Sequence, residues 1–310
     1  MTNIDAINGV IYNMDFSFAL IQLLSGLNLA TLTFMAALGL TLIFGVVKVF
    51  NFAHGSFYMV GAYLAYQIIS IVKINFWLGL LGAAVGAGIL GLLMEFLFLR
   101  RIYGRYEEGG YQILLTYSFI LILDDLVKIV WGTDYKTIDR PPGLSGEISI
   151  GTSILPSYYL FVIVLGFFIT FAIWMMLKKT TFGRLIRACA EDREMLGAMG
   201  INVKGVLTLV FGIATALGGL SGALAAPVRT VTPGAGIEVI INSLIVVVIG
   251  GFGNFWGAWI GSLIIGEVTS FGILFFPRWA ILFNYAVMVL VLILKPQGLL
   301  APRGGDAKRV

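Results

Sequence analysis

Charged side chains are scarce in this sequence. Asp, Glu, Lys and Arg make up 12% of its 310 residues, whereas a soluble domain carries about 25%. A soluble chain of this composition would expose large apolar patches and aggregate. The low charge therefore excludes an ordinary soluble protein, and the net charge of +4 comes without the clustered basic runs of a nucleic-acid surface.

Cysteine and histidine are also scarce. The chain has one cysteine, Cys189, and one histidine, His54, so it can form neither an intrachain disulfide nor a thiolate metal cluster. No nucleophile and base stand in an enzyme-like arrangement, and no G-x-x-x-x-G-K-[ST] loop is present to bind ATP phosphates. We therefore expect no cofactor, no metal and no catalytic site, and any ATP must be hydrolysed by another polypeptide.

Apolar sequence is abundant. Apolar residues make up 59% of the chain, and the mean hydropathy is +0.98. A helix needs about 20 apolar residues to cross the ~30 Å hydrocarbon layer, and the runs do not alternate as membrane β-barrel strands do. The sequence predicts an all-α integral membrane protein, one domain over residues 1–310, with about nine transmembrane helices (range eight to ten). The predicted spans are residues 20–47, 56–72, 76–99, 111–130, 158–177, 206–226, 239–250, 256–273 and 279–294.

Two of these spans have unusual lengths, which is why the helix count has a range. The run 20–47 is too long for one upright helix, so we expect it to be tilted or to follow an interfacial segment. The run 239–250 is too short to cross the membrane unless it is broken or re-entrant.

Lys and Arg are distributed unevenly between the two sides of a nine-span arrangement. Of the 20 cations, 14 fall on one side, which the positive-inside rule assigns to the cytoplasm. In an inner membrane, the N-terminus is then predicted outside and the C-terminus inside. The leader carries Asp5 and Asp15 and lacks the basic start of a signal peptide. The cytoplasmic group is Lys48, Arg100, Arg101, Arg105, Lys178, Lys179, Arg184, Arg187, Arg193, Lys204, Lys295, Arg303, Lys308 and Arg309.

The connecting segment 131–157 is polar and rich in Gly and Pro. The predicted topology places it outside the cell. It is either a passive linker or a hairpin or cap that meets a soluble partner, and the sequence alone leaves both open.

The connecting segment 178–204 is predicted on the cytoplasmic side. Thr180 and Gly183 suit the start of a short helix. The acidic pair 191–192 suits the start of a second helix, and the glycines that follow can end it. Such a compact charged segment can dock a cytosolic protein, with a solvated charged loop as the simpler alternative. Nearby cations would lower the pKa of the Cys189 thiol, but we interpret Cys189 as a small structural residue.

Glycine recurs at intervals of four residues. Gly253, Gly257 and Gly261 form one series, and Gly218 with Gly222 forms a pair. Small residues at this spacing let transmembrane helices pack backbone to backbone. We therefore predict that these glycines lie at helix–helix contacts.

A short internal echo favours a transporter. Residues 40–45 (LTLIFG) recur as residues 207–212 (LTLVFG). In the predicted topology the two copies cross the membrane in opposite directions, as inverted repeats do in many transporters. The echo is one indication of two inverted repeats, although short apolar echoes also arise by chance.

Four segments together form a recognisable pattern. Residues 38–45 lead into the box NFAHG, residues 51–55. Residues 180–201 show T-x-x-G-R-x-x-R-A, an acidic pair and a small-residue stretch, and the last two segments are 246–253 (VVVIGGFG) and 295–299 (KPQGL). From about residue 20 to residue 302, the chain resembles the permeases of ATP-binding-cassette importers for branched-chain amino acids, of the type often called LivH.

The resemblance implies a function and a set of partners. The chain would move branched-chain or related amino acids into the cytoplasm, driven by ATP hydrolysis in two cytosolic subunits. A second permease subunit would complete a heterodimer, and a soluble binding protein outside would deliver the substrate. The ATPases would dock on the segment 178–204. The residues expected in that contact are Gly183, Arg184, Arg187, Glu191, Asp192, Gly197 and Gly200.

Asn51, His54 and Gly55 lie where the first long span gives way to the second. The amide and imidazole can bond backbone groups that a helix break frees within the membrane, and Gly55 allows close backbone approach. We predict that these residues form a hinge that lines the translocation path. Metal binding is disfavoured, because no second ligand lies near His54 in the sequence.

The adjacent carboxylates Asp124 and Asp125 depart from the family pattern, because many relatives carry uncharged polar residues in this span. Two carboxylates deep in lipid would be costly. We expect them at an interface, paired with Lys128, or lining a wet cavity, rather than in transport.

Two other transport functions remain open. Urea or a short-chain amide is the alternative substrate among similar permeases. An ion-coupled secondary carrier is disfavoured, because the charged residues Glu95, Glu238 and Glu267 lie near span ends and form no proton relay. The sequence suggests a pathway without fixed charges, suited to the transient passage of an apolar side chain.

Overall fold

The computed structural model describes residues 16–102, 110–151 and 153–300. The leader with Asp5 and Asp15, Arg105, the cations from Arg303 to Arg309 and both chain ends lie outside the described residues. The helices are α1 (Phe16–Leu42), α2 (His54–Tyr66), α3 (Phe76–Met94), α4 (Gly110–Trp131), α5 (Ser157–Lys179), α6 (Thr181–Glu191), α7 (Arg193–Ala198), α8 (Val203–Ala225), α9 (Ala235–Gly250), α10 (Phe255–Phe275) and α11 (Ala280–Leu294). Three helices continue as π-helix: α1 over Ile43–Val47, α2 over Gln67–Ile71 and α3 over Glu95–Leu99, which Arg100–Ile102 extends.

Each of the nine predicted spans coincides in whole or in large part with a helix of the described chain. Five of these helices are long and apolar enough to cross a membrane: Phe16–Val47, Phe76–Ile102, Ser157–Lys179, Val203–Ala225 and Phe255–Phe275. The helices α9 and α11 are shorter, and α2 and α4 do not meet the same criterion. The helical nature of the spans is therefore confirmed, while the number of crossings stays a prediction.

Asparagine side chains cap the N-termini of three of the membrane helices. The side-chain oxygen of Asn75, Asn202 or Asn254 accepts a hydrogen bond from a backbone N–H two or three residues later, at 2.9 to 3.0 Å. The first N–H groups of a helix have no partner within it, and such groups are costly near lipid. These caps help to fix where α3, α8 and α10 begin.

The helices α1 and α8 form the centre of the fold. In their most apolar stretches, 78% of the residues of α1 and 72% of those of α8 are buried, against 17% for α5. The Ser221 hydroxyl of α8 donates to the carbonyl of Leu32 in α1 at 2.8 Å, and Gly39 of α1 packs against the carbonyl of Ala214. Residue numbers rise along one helix as they fall along the other, so α1 and α8 are antiparallel.

The remaining helices pair reciprocally around α1 and α8. Helix α3 packs along α8 as α10 packs along α1, and α2 contacts α8 as α9 contacts α1. In these contacts α1, α2 and α3 correspond to α8, α9 and α10. The sequence echo does not follow this correspondence, because residues 40–45 and 207–212 lie on the same side of the crossing at Gly39 and Ala214.

Glycines bring α2 and α8 into backbone contact. Gly222 of α8 lies against the carbonyl of Tyr58 in α2, and Gly61 of α2 lies against Gly219 of α8. A methyl group on Gly222 or Gly61 would overlap backbone atoms of the other helix. This close approach is the packing that small residues permit between membrane helices.

The predicted glycine series around α10 lies partly in a helix and partly in a turn. Gly257 and Gly261 of α10 lie against the backbone of Gly250 and Val246 in α9. Gly253 lies in the turn before α10 and has a φ of 73°. The chain therefore uses Gly253 to reverse direction and the other two to pack the resulting helix pair.

The segment 131–157 contains the exception to the all-α prediction. Strands β1 (Glu147–Ile150) and β2 (Ser153–Pro156) form an antiparallel hairpin, which was one of the two alternatives for this segment. Earlier in it, Lys136 exchanges two backbone hydrogen bonds with Val231, at 2.9 and 3.0 Å. The bridge ties the segment to the loop that precedes α9.

We expect Gly222→Ala to destabilise the protein by about 1–3 kcal/mol, because an added methyl group overpacks the contact with α2. The measurement is the apparent melting temperature of the purified protein in detergent. Gly197→Ala in α7 is the matched control, since its new methyl group meets no atom within 4 Å. Equal melting temperatures for the two variants would contradict the close contact.

Candidate functional site

The segment 178–204 folds into two short helices joined by a sharp break. The Thr180 hydroxyl accepts a hydrogen bond from the N–H of Gly183 at 3.0 Å and begins α6. The Asp192 carboxylate accepts one from the N–H of Met195 at 2.9 Å and begins α7. The turn after α7 closes at Gly200, whose φ is 79°. The local signals in the sequence thus mark the bounds of both helices.

One face of α6 is packed against the membrane helices. Gly183 lies against the carbonyls of Met176 and Leu177 at the end of α5, where no side chain could fit. Ile186 and Cys189 on the same helix are also buried. This contact fixes the position of α6 beneath α5.

The arginines of this segment bind carbonyl groups at the ends of two long helices. Arg187 donates to the carbonyl of Leu177 in α5, and Arg193 donates to the carbonyl of Val46 in the π-helical end of α1. Arg184 donates to a hydroxyl within α6 at 3.0 Å. Cations are favourable at helix C-termini, so these contacts anchor the segment to α1 and α5.

The opposite face of α6 and α7, which we call the knob face, is exposed. Met195 and Met199 are 63% and 68% exposed among carboxylates and glycines. Methionine adapts its shape to a partner and recurs at binding surfaces. The knob face comprises Glu191, Asp192, Glu194, Met195, Gly197, Met199 and Gly200.

His54 begins α2 and is buried where α1 and α8 cross. Its Nε2 lies 2.9 Å from the carbonyl of Ala36 and donates to it, and the ring lies against Gly39 of α1 and Gly218 of α8. Nδ1 has no hydrogen-bond partner among the described residues. The imidazole therefore links α2 to the middle of α1 and not to the break before α2.

Asn51 and Gly55 flank His54 at the same junction. Both polar atoms of the Asn51 amide are buried without a hydrogen-bond partner among the described residues. Gly55 lies against the carbonyl of Gly236 in the first turn of α9. The three residues predicted to form a hinge thus surround the point where α1, α2, α8 and α9 meet.

A cavity of about 670 Å³ lies beside this junction, among α1, α9, α10 and α11. Ala36, whose carbonyl accepts the His54 hydrogen bond, lines it. We call it the aliphatic cavity, because its apolar wall is formed by Leu29, Leu32, Ile237, Ile241, Ile265 and Ile273.

Two groups of opposite charge also line the aliphatic cavity. Arg229 follows α8, and Glu238 lies in the first turn of α9. The Arg229 Nη1 and Glu238 Oε1 are 4.0 Å apart, and both side chains are substantially exposed, so the pair contributes little to stability. A cation and an anion beside an aliphatic wall are complementary to a small zwitterion with an apolar body.

The carboxylates Asp124 and Asp125 pair with Lys128, which was one of the expected alternatives. The Lys128 Nζ lies 2.6 Å from Asp124 and 3.1 Å from Asp125. Asp124 also accepts a hydrogen bond from the N–H of Gly234, which precedes α9 with a φ of 81°. Asp124 therefore holds the start of α9 from α4.

The conspicuous sequence segments converge at one end of the helices. The N–H of Leu299 donates to the carbonyl of Ile249 at 2.8 Å, which joins segments 295–299 and 246–253. Gly45 of segment 38–45 touches Gly253 of segment 246–253. Arg193 of segment 180–201 donates to the carbonyl of Val46, the residue after Gly45. Residues 38–45, 180–201, 246–253 and 295–299 are thus joined at this end of the helices, the foot of the molecule. The NFAHG box lies elsewhere, at the junction around His54.

The chain matches the family described as branched-chain amino acid transport system / permease component over residues 22–292. The chain belongs to this family. The predicted resemblance is thereby confirmed, and together with the apolar helices it makes the chain a multi-pass permease of the inner membrane.

Curated relatives in this family cover nearly the whole chain. The permease protein BraD of Pseudomonas aeruginosa is 28% identical over 90% of this chain and 94% of its own length. LivH of Escherichia coli (strain K12) is 26% identical over 92% and 96%. LivM of the same strain is 25% identical over 88% of this chain and 69% of its own length. All three are described as permease proteins of high-affinity branched-chain amino acid transport systems.

A solved structure shares the fold of this permease. PsaBC from Streptococcus pneumoniae in complex with Fab includes a chain that is 11% identical and superposes with a TM-score of 0.51 over 97% of both chains. The likeness extends to the whole helical arrangement and carries no information about substrate.

Arg229 and Glu238 were not among the predicted site residues of the permease. The sequence shows them only as a loop cation and a carboxylate near a span end, nine positions apart. The loop between α8 and α9 brings them together at the cavity. The one signal in the sequence was the predicted span 239–250, which begins directly after Glu238 and is too short to cross the membrane as an ordinary helix.

We expect the Cys189 thiol to react slowly with maleimide in the folded permease at pH 7. Burial raises its pKa above the ordinary cysteine value, and the guanidinium of Arg193 opposes this to a smaller extent. Less thiolate is therefore present than in an exposed cysteine, and labelling should become fast after denaturation. A Cys189→Ala chain that carries Gly197→Cys on the knob face is the fast-reacting control. Equal labelling rates in the folded state would show that α6 does not bury Cys189.

Proposed function

We propose that this permease is the membrane subunit of an ATP-driven importer of branched-chain amino acids. Family membership supports the class of transporter, and the aliphatic cavity with Arg229 and Glu238 supports the substrate. A branched-chain amino acid carries a carboxylate, an ammonium group and an aliphatic side chain. Arg229 pairs with the first, Glu238 with the second, and the aliphatic wall contacts the third.

The charged pair also separates the two candidate substrates. Urea and short-chain amides are neutral at pH 7, so they need neither a guanidinium nor a carboxylate. A zwitterion uses both, and charge-assisted hydrogen bonds are about twice as strong as neutral ones. The cavity therefore favours an amino acid. Because both side chains are exposed, each contact is weak enough for the substrate to leave again.

The energy for transport comes from partner subunits in this proposal. The sequence has no phosphate-binding loop of its own, and the knob face offers exposed carboxylates and methionines for docking. Two cytosolic ATPases bind there, one on each permease subunit. Arg187 and Arg193 transmit their movement to α5 and α1, whose terminal carbonyls they bind.

A second permease subunit completes the membrane part. LivH and LivM of one bacterial strain are both similar to this chain, which supports a heterodimer of related subunits. A soluble binding protein delivers the amino acid at the outer end, where the β1–β2 hairpin is exposed. In this arrangement the N-terminus lies outside and the knob face lies in the cytoplasm.

The reciprocal helix contacts support two inverted repeats, α1–α4 and α8–α11. The antiparallel α1 and α8 are corresponding members, and α2 and α9 meet between them at Gly55 and Gly236. Alternating access then consists of rocking one repeat against the other. Asn51, His54 and Gly55 lie at the pivot, with the aliphatic cavity beside it.

We expect Glu191→Lys to abolish copurification of the cytosolic ATPases with the permease. The substitution reverses a charge on the knob face without touching the buried face of α6. Glu147→Lys, an exposed charge reversal on the β1 strand, is the matched control and should retain the ATPases. If the wild type holds no ATPase, the importer proposal fails, and an ion-coupled carrier tested by an imposed ion gradient takes its place. If Glu191→Lys binds normally, the docking surface is elsewhere.

We expect Arg229→Gln and Glu238→Gln each to slow leucine uptake about tenfold, since a hydrogen bond to a charged group contributes roughly 1.5–3 kcal/mol. The measurement is radiolabelled uptake into proteoliposomes that contain the complete transporter. Arg278→Gln removes an exposed cation between α10 and α11 that does not line the cavity, and it should leave uptake unchanged.

The double exchange Arg229→Glu with Glu238→Arg should restore part of the rate, because both charges are again present. Wild-type uptake rates in both single variants would contradict the role of the charged pair. Uptake of urea in place of leucine by the wild type would establish the alternative substrate.

A further inference from the structure

A second cavity lies at the foot of the molecule. The function proposed above does not use its interior, although Arg187, which anchors α6 to α5, also lines it. It encloses about 650 Å³ between the C-terminal ends of α1 and α5, helix α6 and the start of α10. It is separate from the aliphatic cavity, because residues 38–46 of α1 line it, whereas residues 29–36 line the other. We call it the foot groove.

The charges that line the foot groove have one sign. Lys178 at the end of α5 and Arg187 in α6 line it, and none of the described residues that line it is acidic. The Lys178 Nζ lies 5.1 Å from the centre of the Trp174 ring, which also lines the groove. The site therefore offers two cations to an anion without a competing carboxylate.

The rest of the foot groove is apolar and aromatic. Leu42 and Ile186 line it, as do Trp174 and Trp256. The two indole rings meet with their centres 6.4 Å apart, and Trp256 is 50% exposed. Tryptophan is enriched where membrane proteins meet the lipid headgroups. The two tryptophans are typical of the depth where lipid headgroups give way to acyl chains.

We propose that the foot groove binds one anionic phospholipid, with its phosphate between Lys178 and Arg187 and an acyl chain along the apolar wall. A soluble anion would leave the apolar wall unfilled. A purely apolar occupant would leave Lys178 and Arg187 without an anion, because their contacts are with a neutral ring and a neutral carbonyl. An amphiphile with an anionic head satisfies both ends. Cations near a membrane surface each attract anionic lipid by about 1 kcal/mol, so the two should favour anionic over zwitterionic lipid roughly fivefold for each charge.

Quenching of tryptophan by brominated acyl chains tests the proposal directly. The complete transporter is reconstituted with rising fractions of brominated phosphatidylglycerol or brominated phosphatidylcholine. Subtraction of the signal from a Trp174→Phe, Trp256→Phe variant isolates the groove. We expect phosphatidylglycerol to quench this component at a roughly 25-fold lower fraction than phosphatidylcholine does, because the fivefold preferences of the two charges multiply.

Paired variants assign the preference to the two cations. Lys178→Gln with Arg187→Gln should bring the phosphatidylglycerol curve to that of phosphatidylcholine. Lys179→Gln removes the neighbouring cation, which does not line the groove, and should leave the preference intact. Lys178→Arg with Arg187→Lys keeps both charges, so it should retain the preference and separate loss of charge from loss of packing.

Three outcomes would overturn the lipid site. They are equal quenching by the two lipids in the wild type, an unchanged preference in the double Gln variant, and loss of the preference in the charge-conserving variant. Inorganic phosphate should not displace the brominated phosphatidylglycerol. If it does, the groove recognises phosphate alone and the acyl chain plays no part.

Discussion

The fold depends on the antiparallel contact between α1 and α8. The two helices approach backbone to backbone because Gly39 leaves space at the Ala214 carbonyl, and the hydroxyl of Ser221 reaches the carbonyl of Leu32. Apolar burial gives little driving force between helices surrounded by lipid, so packing and hydrogen bonds of this kind hold them together. Every other long helix except α4 and α11 packs on one or both of these two, and a bulky side chain at the crossing would displace all of them.

His54 belongs to this same contact, which explains its burial. Its ring fills the space between Gly39 and Gly218 and bonds the carbonyl of Ala36. The start of α2 is therefore fixed to the centre of α1, and Gly55 then meets Gly236 at the start of α9. A change in the angle between α1 and α8 must therefore move the first turns of α2 and α9. It must also move the wall of the aliphatic cavity to which Ala36 belongs.

The sequence predicted the local structure well where chemistry acts over a few residues. Thr180, Asp192 and Gly200 mark the bounds of α6 and α7 through bonds and backbone angles that short-range rules describe. The predicted helix positions rest on the same kind of information, because an apolar run and its cap are contiguous in the chain. The β1–β2 hairpin was offered only as an alternative, since one short polar segment contains too little periodicity to distinguish it from a linker.

The candidate site could not be predicted in the same way, because it depends on which helices become neighbours. Arg229 and Glu238 share a cavity only after α9 has turned back against α1, and the start of α9 is held by Asp124 from a helix more than a hundred positions earlier. The expectation of a pathway without fixed charges followed from the charges within single spans, whereas the proposed site adds these two groups at a loop and a helix start. The position of Glu238 therefore depends on the start of α9, and the start of α9 depends on its hydrogen bond to Asp124. Loss of the Asp124 carboxylate would disturb the cavity although Asp124 does not line it. Asp125 is the comparison for that effect, because its carboxylate bonds Lys128 and no other side chain among the described residues.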